Sequence, residues 1–283
     1  MRAIALTNQK GGVGKTTSVA NLGACLALKG RRVLVVDVDP QANLTAHFGV
    51  DVHQGRKTIY NLISGDATPA AVILASQVPN LDIIPADINL AGAEIELVGV
   101  VGRETILKEA LADTLPRYDY VLFDCPPSLG LLTLNALTTV REIFIPVQTE
   151  FFALQGMSKL LETVEIVRKR INRELRITGI IACMFDTRTS LGHEVLGNIR
   201  KYFGDLVFKT VIRKNVRLAE SPSHGKPIVH YDRNAAGAQD YLALADEVIA
   251  QEGGGRPEVT ISTGSSECVS AEATSRGETR DQA

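Results

Sequence analysis

A short apolar run, Ile4-Ala5-Leu6, leads into Asn8-Gln9-Lys10-Gly11-Gly12-Val13-Gly14-Lys15-Thr16-Thr17, and a helix-forming segment continues to about Lys29. Strand, glycine loop and helix in this order constrain the fold more than any other feature of the chain. Glycines let the backbone turn tightly and aim several N–H groups at one anion, and the helix adds the positive end of its dipole. The spacing predicts that Gly11, Gly12, Val13 and Gly14 cradle phosphates. Lys15 then meets the β and γ phosphates of a nucleotide and the Thr16 hydroxyl ligates Mg²⁺, with Thr17 beside it. A mere tight turn would leave Lys15 and both threonines without a purpose. The usual pattern G-x-x-x-x-G-K-[ST] has glycine where this chain has Gln9, and it does not call for Lys10.

Further apolar runs without polar alternation occupy 33–36, 81–84, 120–123, 143–147 and 177–183. Such runs are expected of strands covered on both faces, as in a parallel sheet. Between them lie segments of helical period. Residues 153–172 place Leu154, Met157, Leu160, Leu161, Val164, Val167 and Ile171 on one face, and 235–250 repeats the pattern with Ala238, Tyr241, Leu242, Ala245, Val248 and Ile249. The alternation predicts an α/β fold: a doubly wound, mostly parallel sheet with helices on both faces, P-loop NTPase-like. Its site belongs at the carboxyl ends of the strands. No internal repeat is evident.

The chain has 283 residues, 45% of them hydrophobic, enough for one substantial core. Composition shifts near residue 251, so the expectation is a domain over 1–250 and a disordered Gly/Ser/Glu-rich tail over 251–283. That tail holds three arginines against five glutamates and one aspartate, and with the whole chain at −2 the domain is close to neutral. A strongly basic protein is excluded, whereas a local basic patch is not. No run approaches the ~20 apolar residues of a membrane helix, and the start lacks the pattern of a secretory signal. A cytoplasmic protein with reduced thiols is expected, since Cys25, Cys125, Cys183 and Cys268 show no paired or zinc-like spacing.

Two apolar runs end in carboxylates. In VLVVDVDPQAN, Asp37 and Asp39 stand two apart, so both point to one side at the mouth of the strand. One of them could instead cap a short helix beginning near Ala42. In YDYVLFDCPPS, Asp124 ends a strand beside a loop stiffened by Pro126 and Pro127, where a carboxylate can hold Mg²⁺ directly or through water.

With NQKGGVGKTT and VDVDPQAN together, the sequence resembles the ParA/Soj partition ATPases, the deviant Walker A class, over residues 1 to about 250. The resemblance implies a weak Mg²⁺-dependent ATPase with ATP as ligand. It gives Asp39 the orientation of attacking water, Asp37 a place in the Mg²⁺ water shell and Asp124 a Walker B position. It also implies an ATP-sandwiched homodimer, in which Lys10 crosses to the partner's nucleotide. The segments DTRT and NVRLAESPSHGKPI match a DNA-binding face, with Arg188 and Arg217 as contacts to non-specific duplex DNA. Asn215 matches a position near the adenine, although this chain has Arg213 where proline is usual. The resemblance further implies a ParB/Spo0J-type centromere-binding partner, nucleoid association and no membrane.

Three relatives of the loop fit less well. A MinD-type membrane-switching regulator needs a basic amphipathic C-terminal helix, which the acidic tail does not offer. A nitrogenase-iron-protein-like reductase needs cysteines placed to share a cluster between subunits. A dethiobiotin-synthetase-type ligase would turn the same loop toward a small acid. Chromosome and plasmid service are not distinguished, although the short segment before the loop argues against a self-repressing plasmid type.

Overall fold

The structure, a computed structural model, describes residues 1–52, 55–150 and 157–252. Seven strands form one sheet: β1 (Arg2–Leu6), β2 (Val33–Asp37), β3 (Leu74–Ala75), β4 (Leu81–Ile84), β5 (Tyr120–Asp124), β6 (Glu142–Gln148) and β7 (Arg176–Cys183). Their order is β3-β4-β2-β5-β1-β6-β7, with every pairing parallel except β3 against β4. All six apolar runs are strands. The two-residue β3 has no detectable period in the sequence and was not expected.

Alternate residues of each strand feed two separate cores, which is why the runs are apolar throughout. Ile4, Leu6, Val33, Val35, Ile83 and Leu122 pack under α1 (Lys15–Leu28) and α5 (Ala236–Ala250). Ala3, Ala5, Leu34, Val36, Val121 and Phe123 face α2 (Leu131–Thr139), α3 (Ser158–Arg170) and α4 (Ser190–Phe203). The doubly wound arrangement expected from the sequence is therefore present. The helix expected over 153–172 is seen from Ser158, its first residues lying outside the described set. The segment from 253 to 283, assigned to the tail, is outside it as well. Gln251 and Glu252 are tied to the domain, through Arg2 and through Arg31 and Tyr120 respectively. Among the described residues no helix is long and apolar enough to cross a membrane.

Two glycines meet on the α1 and α5 face. Gly49 follows the short helix Asn43–His47 with φ 65°, and Gly225 closes the turn Ser221–His224 with φ 61°. Their backbones are so close that a Cβ on Gly225 would lie 2.8 Å from the Gly49 Cα.

At the amino end of the sheet Arg2 is buried against Glu142, with Nε to Oε1 at 3.0 Å and Nη2 to Oε2 at 2.7 Å. Arg2 also donates to the Val248 carbonyl at 2.7 Å, and Thr178 donates to Glu142 at 2.8 Å. Removing one partner strands a buried charge. Arg2→Ala is expected to lower unfolding free energy by about 3–5 kcal/mol in urea titrations, far more than the ~0–1 kcal/mol of a surface pair.

Candidate functional site

β1 and α1 converge on the loop between them. Gly14, at φ 93°, occupies the cap position of α1, a conformation that only glycine adopts readily. It also lies against Cys183 of β7, whose Sγ would be 3.6 Å from a Cβ there. Asn8 steadies the loop's start, donating to the Pro146 carbonyl at 2.8 Å and accepting from the Lys10 amide at 3.0 Å. The sequence pattern did not single out Asn8; a buried amide directly after an apolar run was the available signal. At the far end of α1's first turns, Ser18 meets the Tyr241 hydroxyl at 3.0 Å.

Lys15 and Lys10 are treated differently by the fold. Lys15 is buried, with its Nζ at 3.4 Å from the Lys10 carbonyl. Burial lowers its pKa, against the opposing influence of Asp124, Cys125 and Asp39. Lys10 turns outward, where its Nζ stands 3.5 Å from Glu150. Glu150, two residues past β6, was not singled out in the sequence.

The carboxylates gather where β2 and β5 end side by side, Asp37 in register with Asp124. Asp124 is fully buried, and among the described residues neither of its carboxylate oxygens accepts a hydrogen bond of good geometry, the Thr16 hydroxyl lying close enough only to favour its charged form. Burial raises its pKa well above the usual carboxylate range, reinforced by Asp37 and opposed by the Thr16 hydroxyl and Lys15. A buried anion left unpaired is costly, so this one fits a cation supplied from outside the chain. An oxygen-only set of Asp124 and Thr16 suits Mg²⁺, which keeps much of its water.

Asp37 is also fully buried, but its oxygens are engaged. Oδ2 accepts from the Thr45 amide at 2.8 Å and the Thr45 hydroxyl at 2.7 Å, and Oδ1 accepts from the Asp39 amide at 3.2 Å. Thr45 lies in the helix Asn43–His47, so Asp37 serves that helix as a cap reaching over from the strand, the alternative left open by the sequence. Burial lifts its pKa to about 7, with the Thr45 and Asp39 hydrogen bonds opposing. Asp39 shapes the loop that follows: Oδ1 accepts from the Gln41 amide at 2.9 Å, and Ala42 turns back with φ 52°.

Beside the loop lies a cavity of about 330 Å³ lined by Gly14, Thr17, Met184, Arg213, Asn215 and Tyr241. Thr17 and Asn215 thus share one space. Asn215 uses its Oδ1 to cap the helix Val216–Glu220 through the Leu218 amide at 3.2 Å. Arg188 and Arg217 are exposed on neighbouring segments. Phe185 pairs with Arg213, which brings the loop holding Arg188 beside the one leading to Arg217. Each has a local partner, Arg188 with Asp186 at 2.8 Å and Arg217 with Glu220 at 2.9 Å. Of the residues expected to act together, Lys15, Thr16, Asp39 and Asp124 form one cluster, and Arg188 and Arg217 stand apart from it.

His47 ends the helix that Asp37 caps. It is 1% exposed, its Nε2 has no partner among the described residues, and burial lowers its pKa from 6.5 to about 4. The folded protein therefore holds His47 neutral in a range where the unfolded chain protonates it. Its contribution is complete above pH 6.5 and is lost as the pH falls toward 4. Between those limits the loss is expected to be on the order of 3 kcal/mol. Denaturant titrations across this range should show a shallower pH slope for His47→Phe.

Comparison with known proteins identifies the family. The AAA domain family model matches residues 1–177. The sporulation initiation inhibitor protein Soj of Bacillus subtilis is 54% identical over 249 residues, which cover 88% of this chain and 98% of that protein. The chromosome partitioning protein ParA of Caulobacter vibrioides is 46% identical over 254 residues, 89% of this chain and 95% of its own length. Among solved structures, cobyrinic acid a,c-diamide synthase of Mycobacterium smegmatis, with bound ATP analogue and magnesium, superposes with a TM-score of 0.79. Its sequence is 35% identical, over 92% of this chain and all of that one. The chain belongs to the Soj/ParA family of chromosome-partitioning ATPases.

Proposed function

We propose that this chain is a weak Mg²⁺-dependent ATPase that partitions DNA, with bound ATP pairing two copies into a dimer that grips duplex DNA without regard to sequence. The observation that carries the reading is the buried Asp124, left without a well-formed hydrogen bond among the described residues, beside Lys15 and Thr16 at the start of α1. Backbone amides of the glycine loop receive the phosphates, and the N-terminus of α1 favours their charge. Lys15 leaves the Lys10 carbonyl to meet them. Asp124 and Thr16 would hold Mg²⁺, which would supply neutralisation of phosphate charge. Asp39 orients the attacking water, its loop steadied by the Asp37–Thr45 hydrogen bonds.

Lys10 has the exposure needed for a role in the second copy, acting as an arginine finger does. Lys10→Ala is then expected to lower kcat by about 10³-fold or more. Asp39→Ala subunits should be equally inactive, yet mixing the two variants should recover part of the rate, because one hybrid site has both groups. A normal rate in Lys10→Ala alone, or no recovery on mixing, refutes the exchange.

Residues Arg188 and Arg217 are exposed cations that give the dimer its grip on phosphates, and a ParB-type centromere-binding partner stimulates hydrolysis and releases the DNA. The protein then acts in the cytoplasm on the nucleoid. Arg188→Ala or Arg217→Ala should weaken ATP-dependent DNA binding and reduce the slope of log affinity against log salt by about 1 for each phosphate no longer neutralised. Nucleotide affinity should be unchanged in both.

A further inference from the structure

Arg213 stands where the family resemblance leads one to expect proline, and the structure supplies it with a partner on another element. One carboxylate, that of Asp240 on α5, accepts the Arg213 backbone amide at 2.9 Å and the guanidinium through Nε at 3.0 Å and Nη2 at 2.6 Å. Nη2 also reaches the Ala236 carbonyl at 3.3 Å. The Asp240 side chain is only 10% exposed and that of Arg213 42%, so the carboxylate end of the pair is shielded while the guanidinium stays partly open to water.

The pair belongs to a row of contacts along one face of α5. Gly237 has no side chain and lets Leu218 approach to 2.4 Å of where a Cβ would be. Tyr241 lines the cavity and holds Ser18 of α1. Two turns beyond Asp240, Glu247 accepts from the Lys209 amide at 2.9 Å and the Thr210 amide at 2.7 Å. Opposite α5, the Ile212 amide donates to Ala182 at 2.8 Å and the Lys214 amide to Phe185 at 3.0 Å. Segment 209–214 is thus fixed from both sides, with Arg213 turned toward α5 and its neighbours Lys214 and Asn215 on the cavity wall.

We propose that Arg213 is a positioning residue for the nucleotide base: its fork with Asp240 sets the wall of the cavity beside Gly14 and Thr17, and base-dependent affinity relies on that fork. A proline would restrict this backbone through its ring; here a bidentate ion pair performs the task. The inference rests on the proposed ATP binding at the glycine loop and on the expectation, from Asn215 in its wall, that this cavity takes the base. Lysine cannot replace arginine in such a role, because it presents a point charge instead of a planar fork.

The test is calorimetric titration of the full chain and of Asp240→Asn with Mg-ATP and with Mg-tripolyphosphate, which has the phosphates and no base. ATP affinity should fall about tenfold in Asp240→Asn, the scale of one charge-assisted hydrogen bond. Tripolyphosphate affinity should not change. Arg213→Lys keeps a cation near Asp240, so it tests the fork without stranding the carboxylate, and it should shift the ATP to tripolyphosphate ratio in the same direction. Equal losses for both ligands, or no loss for ATP in either variant, overturn the proposal. If the unaltered chain binds tripolyphosphate as tightly as ATP, the base reading of the cavity falls, and the proposal with it.

Discussion

A buried carboxylate that no described side chain fully satisfies, beside the lysine of the glycine loop, is the constraint around which this molecule is organised. Asp124 is buried at the end of a central strand, one strand from Asp37 and close to Lys15. An isolated anion in that setting would be expensive, and a fold keeps one only when something else compensates. Lys15 compensates in part, at the cost of its own desolvation. Parallel strands make this possible, because they end together and present their last residues to one edge.

Around that edge the fold assigns each segment a separate support. Asp37 is committed to Thr45 and thereby steadies the helix that follows the Asp39 loop. Asn8 holds the beginning of the glycine loop, and Tyr241 reaches α1 from α5. The far end of the sheet has no such openness. There Arg2, Glu142, Thr178 and the Val248 carbonyl satisfy one another. Polar groups at one end are closed on themselves, whereas at the other the Asp124 carboxylate lacks a well-formed hydrogen bond among the described residues.

Much of this arrangement is legible in the chain itself. The six apolar runs identify the strands because strands covered on both faces leave no polar positions to confuse the pattern. The glycine loop and the strand-ending aspartates locate the site, since both kinds of chemistry depend on local order. What escapes such reading depends on contacts between distant residues. Asp37 looks like a partner of Asp39, and only its distance to Thr45 reveals its structural role. Arg213 is visible as a departure from proline, but Asp240 lies 27 residues away and gives no sign of being its counterpart. Asn8 and Glu150 are polar residues just past strand ends, a common enough occurrence to carry little information alone. The two-residue β3 is too short to have a period.

The back-to-back glycines at 49 and 225 have a mechanical consequence. Gly49 terminates the segment that begins with the Asp39 loop, and Gly225 terminates the one that begins after Arg217. Bare backbone against bare backbone leaves no compressible side chain between them, so the two segments meet as a hard stop. Inward travel of either one, by as little as the width of a methyl group, must be matched by recoil of the other.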